Sequence, residues 1–430
     1  MKRTLIFILN FLVGLIASAQ QQISIKGKVI SSDTHTPLLY CPIQIKNSAI
    51  STTTNEDGVF ELHCSEAQKN DLILISYIGY EQYSKKLSDI LNENTNEFIL
   101  QSKPFYLQEI VVQYPLSAEE ILNNVYKSAK SNFNLGNYKL DGFFRSYLKT
   151  DNIYDRLIEG DISLVSTGFT EKKLKWNGFF ICANEVRASR NTGDMRDVVL
   201  QHKKGVNNLE EIITIHEHLL DDLKKRKTYD AILIEKTEYL DTNKIITLKL
   251  SSNSGRTTTY VKVNAQNWAI EELLYCWNAP KTDDQFYQSS IYNGDSIIPI
   301  KLKNSSDSCL IKYKNYNGKY YLSFFKRRYK KEVFEPTKTY KFQINTEYAT
   351  NNINFDTQKI SHKNLIDRTD NLYKQVCEKP YHAEFWKNYN LILDNADMEQ
   401  IRKQINAKAN IDEQFNDSNK YPTGSAKGKK

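Results

Sequence analysis

A chain of 430 residues with 40% hydrophobic and 25% charged side chains has the composition of a folded protein of two or three domains, which excludes wholesale disorder. Its formal charge of +7 is too thinly spread to indicate a nucleic-acid partner. Tyr (27) and Phe (19) far outnumber Met (3), a bias towards half-buried pleated surfaces that predicts a mainly β or α+β protein.

At the start of the chain, Lys2 and Arg3 precede an apolar run from Leu5 to Ile16, followed by the small residues Ala17-Ser18-Ala19. These regions, in this order, predict a signal peptide over residues 1–19 and an exported protein. The apolar run falls short of the roughly 20 residues that span a bilayer, so no transmembrane helix is expected in the mature chain. Export leads to a disulfide-permissive compartment, where Cys41 and Cys64 are candidates to pair within one domain. The six cysteines form no CxxC and no zinc-like spacing.

Residues 22–101 read as short strands punctuated by turns, a small β-sandwich. Asp57-Gly58 supplies a turn that needs positive φ, and Phe60, Leu62 and Cys64 then alternate into one face. Tyr77-Ile78-Gly79-Tyr80 closes a strand with a glycine suited to a bulge or a close backbone approach. Gly27-Lys28-Val29, Pro37-Leu38, Thr54-Asn55-Glu56-Asp57-Gly58-Val59-Phe60 and Ser76-Tyr77-Ile78-Gly79-Tyr80-Glu81 together resemble the carboxypeptidase-D regulatory-like domain. The usual glycine before Pro37 is missing.

That resemblance implies a transthyretin-like sandwich, a non-catalytic module common in Bacteroidetes-type envelope proteins and often placed ahead of a TonB-dependent receptor. Leu107-Gln108-Glu109-Ile110-Val111-Val112 resembles the segment that follows the module in such receptors. It implies a location in the periplasm or at the outer membrane.

A linker over 102–115 leads into an α+β domain expected over 116–411. Ser117 and Glu120 form a capping-box pattern ahead of Ile121, Leu122, Val125 and Ala129, which predicts a helix of roughly 16 residues. Long aromatic strands follow over 138–149, 153–166 and 173–190, then a second amphipathic helix over 208–226. Beyond it, Ile246, Leu248 and Leu250, and then Val261 and Val263, alternate with polar residues, which predicts an antiparallel meander, possibly a half-barrel. Asn317-Gly318 marks a hairpin. The run Lys326-Arg327-Arg328-Tyr329-Lys330-Lys331 sends positive charge to both faces of a strand and is expected at a solvated strand end. Helices are expected over 362–378, 381–392 and 397–407, before a disordered polar tail over 412–430.

Ala118 to Leu122, Asn137 to Arg145 and Glu384 to Asn390 are similar to parts of larger Bacteroidetes-type envelope proteins of unassigned activity. Lys244 to Tyr275 resembles the half-barrel of lipoprotein-sorting proteins. The Tyr-rich strands pose a structural question: either one sheet face stays open as an apolar concave surface, or the helices beyond 362 close it.

The motifs that carry chemistry do not assemble on paper. His216 and His218 would point about 200° apart on a helix. His63 and Glu66 of an HxxE lie inside the sandwich, Ser146 and Lys149 of an SxxK lie in a strand, and Asp283-Asp284 are merely adjacent. No catalytic, cofactor-binding or metal residue is therefore assigned, and no cofactor is expected. The reading is a non-enzymatic envelope protein binding a partner protein, a lipid or a glycan. Its rivals are a lipid or lipoprotein carrier and a hydrolase whose site lacks a local motif.

Overall fold

The computed structural model describes residues 22–91, 96–103, 116–170, 175–176, 179–189, 229–240, 242–252, 256–278, 287–293, 296–357, 364–366, 372–377 and 379–417. The signal segment, the helix expected at 208–226 with His216 and His218, Asp283-Asp284 and most of the linker lie outside the described residues.

Seven strands build the first domain: β1 (Gln22–Ser31), β2 (Pro42–Ile45), β3 (Ser51–Thr53), β4 (Val59–Ser65), β5 (Leu72–Ile75), β6 (Tyr83–Lys86) and β7 (Asn96–Leu100). They form two sheets, ordered β4-β1-β7 and β3-β2-β5-β6, with β1 and β7 parallel. Period-two alternation buries Phe60, Leu62 and Cys64 of β4 in one core with Ile43, Ile73 and Ile75 of the other sheet. No disulfide joins Cys41 and Cys64. Burial pushes these thiols up to about 12 and about 11. The Asp57-Gly58 turn forms as expected, with Gly58 at φ +74° and so little room that an added Cβ would lie 2.7 Å from the Val29 carbonyl oxygen.

The second domain opens with α1 (Ala118–Asn132), whose capping box is complete: Ser117 Oγ accepts from Glu120 N, and the Glu120 carboxylate accepts from Ser117 N. Its strands are β8 (Tyr138–Thr150), β9 (Ile153–Ser166), β10 (Phe169–Thr170), β11 (Lys175–Trp176), β12 (Phe179–Ala188), β13 (Ala231–Leu240), β14 (Asn243–Ser251), β15 (Thr257–Asn264), β16 (Ile270–Asn278), β17 (Tyr287–Asn293), β18 (Ser296–Tyr316), β19 (Lys319–Phe334) and β20 (Thr339–Asn354). All but the β10-β11 pair join one 11-stranded sheet, ordered β12-β9-β8-β20-β19-β18-β16-β15-β14-β13, with β17 alongside β18. Its pairings are antiparallel, as expected of a meander, and it does not close into a barrel. Asn317 (φ 51°) and Gly318 (φ 76°) make the tight turn between Tyr316 and its partner Lys319, the left-handed pair that a two-residue hairpin requires.

One face of this sheet buries Phe144, Ile158, Leu248, Val261, Ile311 and Phe325 with Ile121, Leu122 and Val125 of α1. The other is covered in two parts. Trp386 and Ile392, near α3 (Ala383–Trp386), share a cluster with Phe143, Phe324 and Tyr40 of the first domain, while Met398, Ile401 and Ile405 of α4 (Ala396–Asn406) pack with Tyr147, Tyr154 and Leu157. The C-terminal helices thus close the face over β8 and β9 that was a candidate for an open apolar surface. A short α2 (Leu372–Cys377) packs on β12. The boundary drawn at 411/412 falls inside α5 (Ile411–Asn416), whose Phe415 is 2% exposed.

The basic run is another correction. It lies inside β19, paired on both sides by β18 and β20. Lys326 meets Glu347 and Glu56, Arg327 holds Asp307 in a two-point grip at 2.8 and 2.7 Å, and Lys331 is buried. Adjacent strands and the first domain supply the acceptors for Lys326 and Arg327, which is the condition under which cations tolerate burial.

Gly58→Ala is expected to destabilise the full chain by about 1–3 kcal/mol, because the left-handed backbone and the Val29 carbonyl both oppose a side chain. The midpoint of urea unfolding measures this, and an unchanged midpoint contradicts the turn geometry.

Candidate functional site

Two polar assemblies occupy the seam between the domains. The first is a row of charges in register across five neighbouring strands: Arg187 on β12 faces Glu159 on β9, which faces Arg145 on β8, then Glu347 on β20 and Lys326 on β19. Arg145 is 1% and Glu159 0% exposed. Arg145 Nε donates to Glu159 Oε1 at 2.8 Å and Arg187 Nε to Glu159 Oε2 at 2.7 Å.

The C-terminal segment closes this row from above. Arg402 of α4 donates to Glu159 Oε1 at 2.7 Å and pairs with Asp394, and Asp394 Oδ1 also accepts from Arg145 at 2.8 Å. At its far end, Lys326 Nζ reaches Glu347 at 2.8 Å and Glu56 of the first domain at 2.6 Å. Asn395, which caps α4, donates to the other Glu56 oxygen at 2.8 Å. Four cations and four carboxylates therefore alternate through one connected network. Burial opposes the Glu159 charge, but Arg187, Arg402 and Arg145 together hold its carboxyl well below the ordinary range.

Further contacts lock the first domain in place. The rings of Tyr40 and Phe324 stack at 4.6 Å, Ser51 Oγ donates to the Thr350 carbonyl, and Gly79 N donates to the Tyr239 carbonyl at 2.6 Å. This is the close backbone approach anticipated at Gly79. The Asn390 side-chain amide accepts from His63 N at 2.6 Å and donates to His63 O at 3.1 Å, so it pairs with β4 as a strand would.

Between the locked domains lies the second assembly, a cleft of about 320 Å³. The first domain contributes Pro42, Gln44, Leu74, Ser76, Tyr77, Ile78 and Gln82, and the sheet contributes residues of β13 to β16, β18 and β19. Lys262, Glu272 and Lys312 stand opposite one another on β15, β16 and β18, with Glu272 at 2.9 Å from Lys262 and 3.5 Å from Lys312. Burial works against the Glu272 charge, yet the two lysines hold its carboxyl below the ordinary range.

Glu271, the bulge residue beside it, has no cation partner among the described residues and accepts from Asn264 and from the Tyr320 hydroxyl, each at 3.0 Å. Burial pushes its carboxyl up, favouring the neutral acid. Lys312 Nζ donates to the Tyr40 carbonyl at 3.1 Å and lies 4.7 Å over the Tyr77 ring. Two residues further along β18, Lys314 is 8% exposed and donates to Ser51 Oγ at 2.5 Å. Burial alone brings its amine down to about 7.

The sequence names Lys326 in the basic run and Glu56, Tyr77 and Gly79 in the family motifs, but it points to none of these residues as part of a site. The rejected motifs are scattered: His63 sits 3.4 Å from Glu61, Ser65 caps a turn and Glu66 pairs with Lys69, while Ser146 approaches Thr346 and Lys149 lies over the Tyr154 ring. Among the described residues no group of three or more His, Cys, Asp or Glu is arranged to hold a metal, and no helix is long and apolar enough to cross a membrane.

Fold and seam together define a two-domain, mainly β protein: a sandwich clamped onto an open antiparallel sheet. Residues 25–112 match the CarboxypepD_reg-like domain family, and the sandwich is a regulatory-like domain of that kind, a non-catalytic module. A search of curated proteins finds no match.

Glu159→Gln leaves the buried Arg145 and the half-buried Arg187 and Arg402 without their shared carboxylate and is expected to destabilise the chain by about 3–5 kcal/mol, read from chemical unfolding. Lys314→Met has a pH signature. The folded amine, at about 7, sits below its ordinary value of 10.5, so the unfolded chain binds this proton more tightly. The penalty from this group is therefore absent above pH 10.5, grows as pH falls and is complete below about 7. Thermal unfolding should show Lys314→Met raising Tm more at pH 6 than at pH 9, whereas equal gains would mean that the charge is compensated.

Proposed function

We propose that this is an exported, non-catalytic binding protein of the cell envelope, in which the regulatory-like sandwich and the sheet domain are held together so that both walls of the cleft grip a small polar ligand. The observation that carries this reading is the composition of the walls. Gln44 comes from one domain and Asn243 and Gln266 from the other, facing a concave space within the size range of ligand sites. Amides and tyrosines that converge on a cleft recognise hydroxyl-rich molecules by hydrogen bonding and flat apolar contact. This favours a glycan fragment over an acyl chain, for which charged walls are costly. Export is supported by the basic, apolar and small-residue regions of residues 1–19.

A hydrolase reading has one observation in its favour: Glu271 and Glu272 are pushed towards opposite ionisation states in one cleft, the split that acid–base chemistry uses. Both Glu272 oxygens are taken by lysines, so the carboxylate is committed to structure, and binding is the preferred function.

Thermal unfolding of the full chain against a panel of neutral and charged mono- and oligosaccharides tests the reading. At least one is expected to raise Tm, the gain being about 2.7 kcal/mol at a hundredfold excess over Kd. Gln44→Trp, which fills the cleft, is expected to abolish it. If no member of the panel stabilises the wild type, or if the gain survives in the filled variant, the cleft is not the site.

A further inference from the structure

The charges of the cleft do not balance. Lys262, Lys312 and Lys314 line it, but Glu272 serves the first two, and Glu271 is engaged by Asn264 and the Tyr320 hydroxyl rather than by a lysine. Among the described residues, Lys314 is left with the Ser51 hydroxyl. Lys262, Lys312, Glu271, Glu272, Tyr77 and Tyr320 share the cleft with it, yet burial is the one cause that acts on its amine. A buried ammonium without a counter-ion is destabilising, and this one sits in the wall of a cleft that the domain clamp keeps in place.

Resting on the cleft reading above, we infer that the ligand is a small hydroxyl-rich molecule bearing one anionic group, a carboxylate or a phosphate, and that Lys314 seats that group. The anion supplies the missing counter-charge, and the cost of burying the lysine is recovered only when the ligand is present. Lys314 is then a specificity residue: it separates an acidic sugar from its neutral counterpart, because a neutral molecule leaves the ammonium unpaired. Gln44, Asn243 and Gln266 remain available to the hydroxyls.

Calorimetric titration of the full chain with galactose, galacturonate and galactose 6-phosphate at pH 6 tests this. At least one charged probe is expected to bind ten or more times more tightly than galactose, and the better of the two identifies the group as carboxylate or phosphate. Lys314→Met is expected to remove the preference, so that galactose and the charged probes bind alike. Galacturonate is expected to bind about tenfold more weakly to the wild type at pH 8 than at pH 6, because its own carboxylate does not titrate there while an amine near 7 loses its charge. Lys314→Arg keeps the preference and loses the pH dependence, since arginine stays charged. Equal affinity for galactose and both charged probes, or no binding of either charged probe, overturns the inference. Galactose binding that Gln44→Trp abolishes leaves the cleft reading standing when the anion preference fails, whereas binding that survives Gln44→Trp removes both.

Discussion

The Glu159 carboxylate, fully buried and shared by Arg145, Arg187 and Arg402, is the interaction on which the seam depends. A carboxylate in that position is tolerable only with its cations in place, and those cations come from β8, β12 and α4. The requirement therefore ties the register of the first strands to the docking of the C-terminal segment. Continued through Glu347 and Lys326 to Glu56, the same alternation reaches the regulatory-like domain. A sheet that stacked only apolar side chains here would cohere as well but would tolerate sliding; alternating charges specify one arrangement.

The cleft is a product of that arrangement. The clamp at Glu56 and the backbone contact at Gly79 fix the sandwich on the sheet at two separated points. Between them the walls come together without filling the gap. Lys312 and Lys314 occupy the same face of β18, yet among the described residues one is balanced by Glu272 and the other meets only a hydroxyl. The difference between two lysines two residues apart separates framework from site.

Local features were legible in the sequence. The Ser117 capping box, the Asp57-Gly58 and Asn317-Gly318 turns, and the alternations at Phe60 and Ile246 depend on residues close in the chain, where propensity and periodicity apply. The seam was not legible, because Arg145 and Glu347 are about 200 residues apart and meet only when β20 is placed beside β8. The basic run in β19 was misjudged for the same reason: a strand's charges can be assessed only with its neighbours, and Asp307 and Glu347 reach it from strands whose pairing the run itself does not reveal. The closing of the sheet by Met398, Ile401 and Ile405 was visible as helix amphipathicity, though not the face it would cover.

The joining of β20 to β8 has a consequence for how the chain is made. Ser146 and Thr346, neighbours in the finished sheet, are 200 residues apart. As the chain emerges from its N-terminus, β8 and β9 can pair at once, but the other edge of β8 has no partner until nearly the whole sheet has been synthesised. For that interval an aromatic strand carries an unsatisfied row of amides and carbonyls, the exposure that invites wrong pairing between chains. Closing so long a loop is slow. The buried arginine at the centre of β8 carries a charge into any mispaired sheet that lacks its carboxylates, so the residue that locks the native seam also penalises the alternatives while the seam is still incomplete.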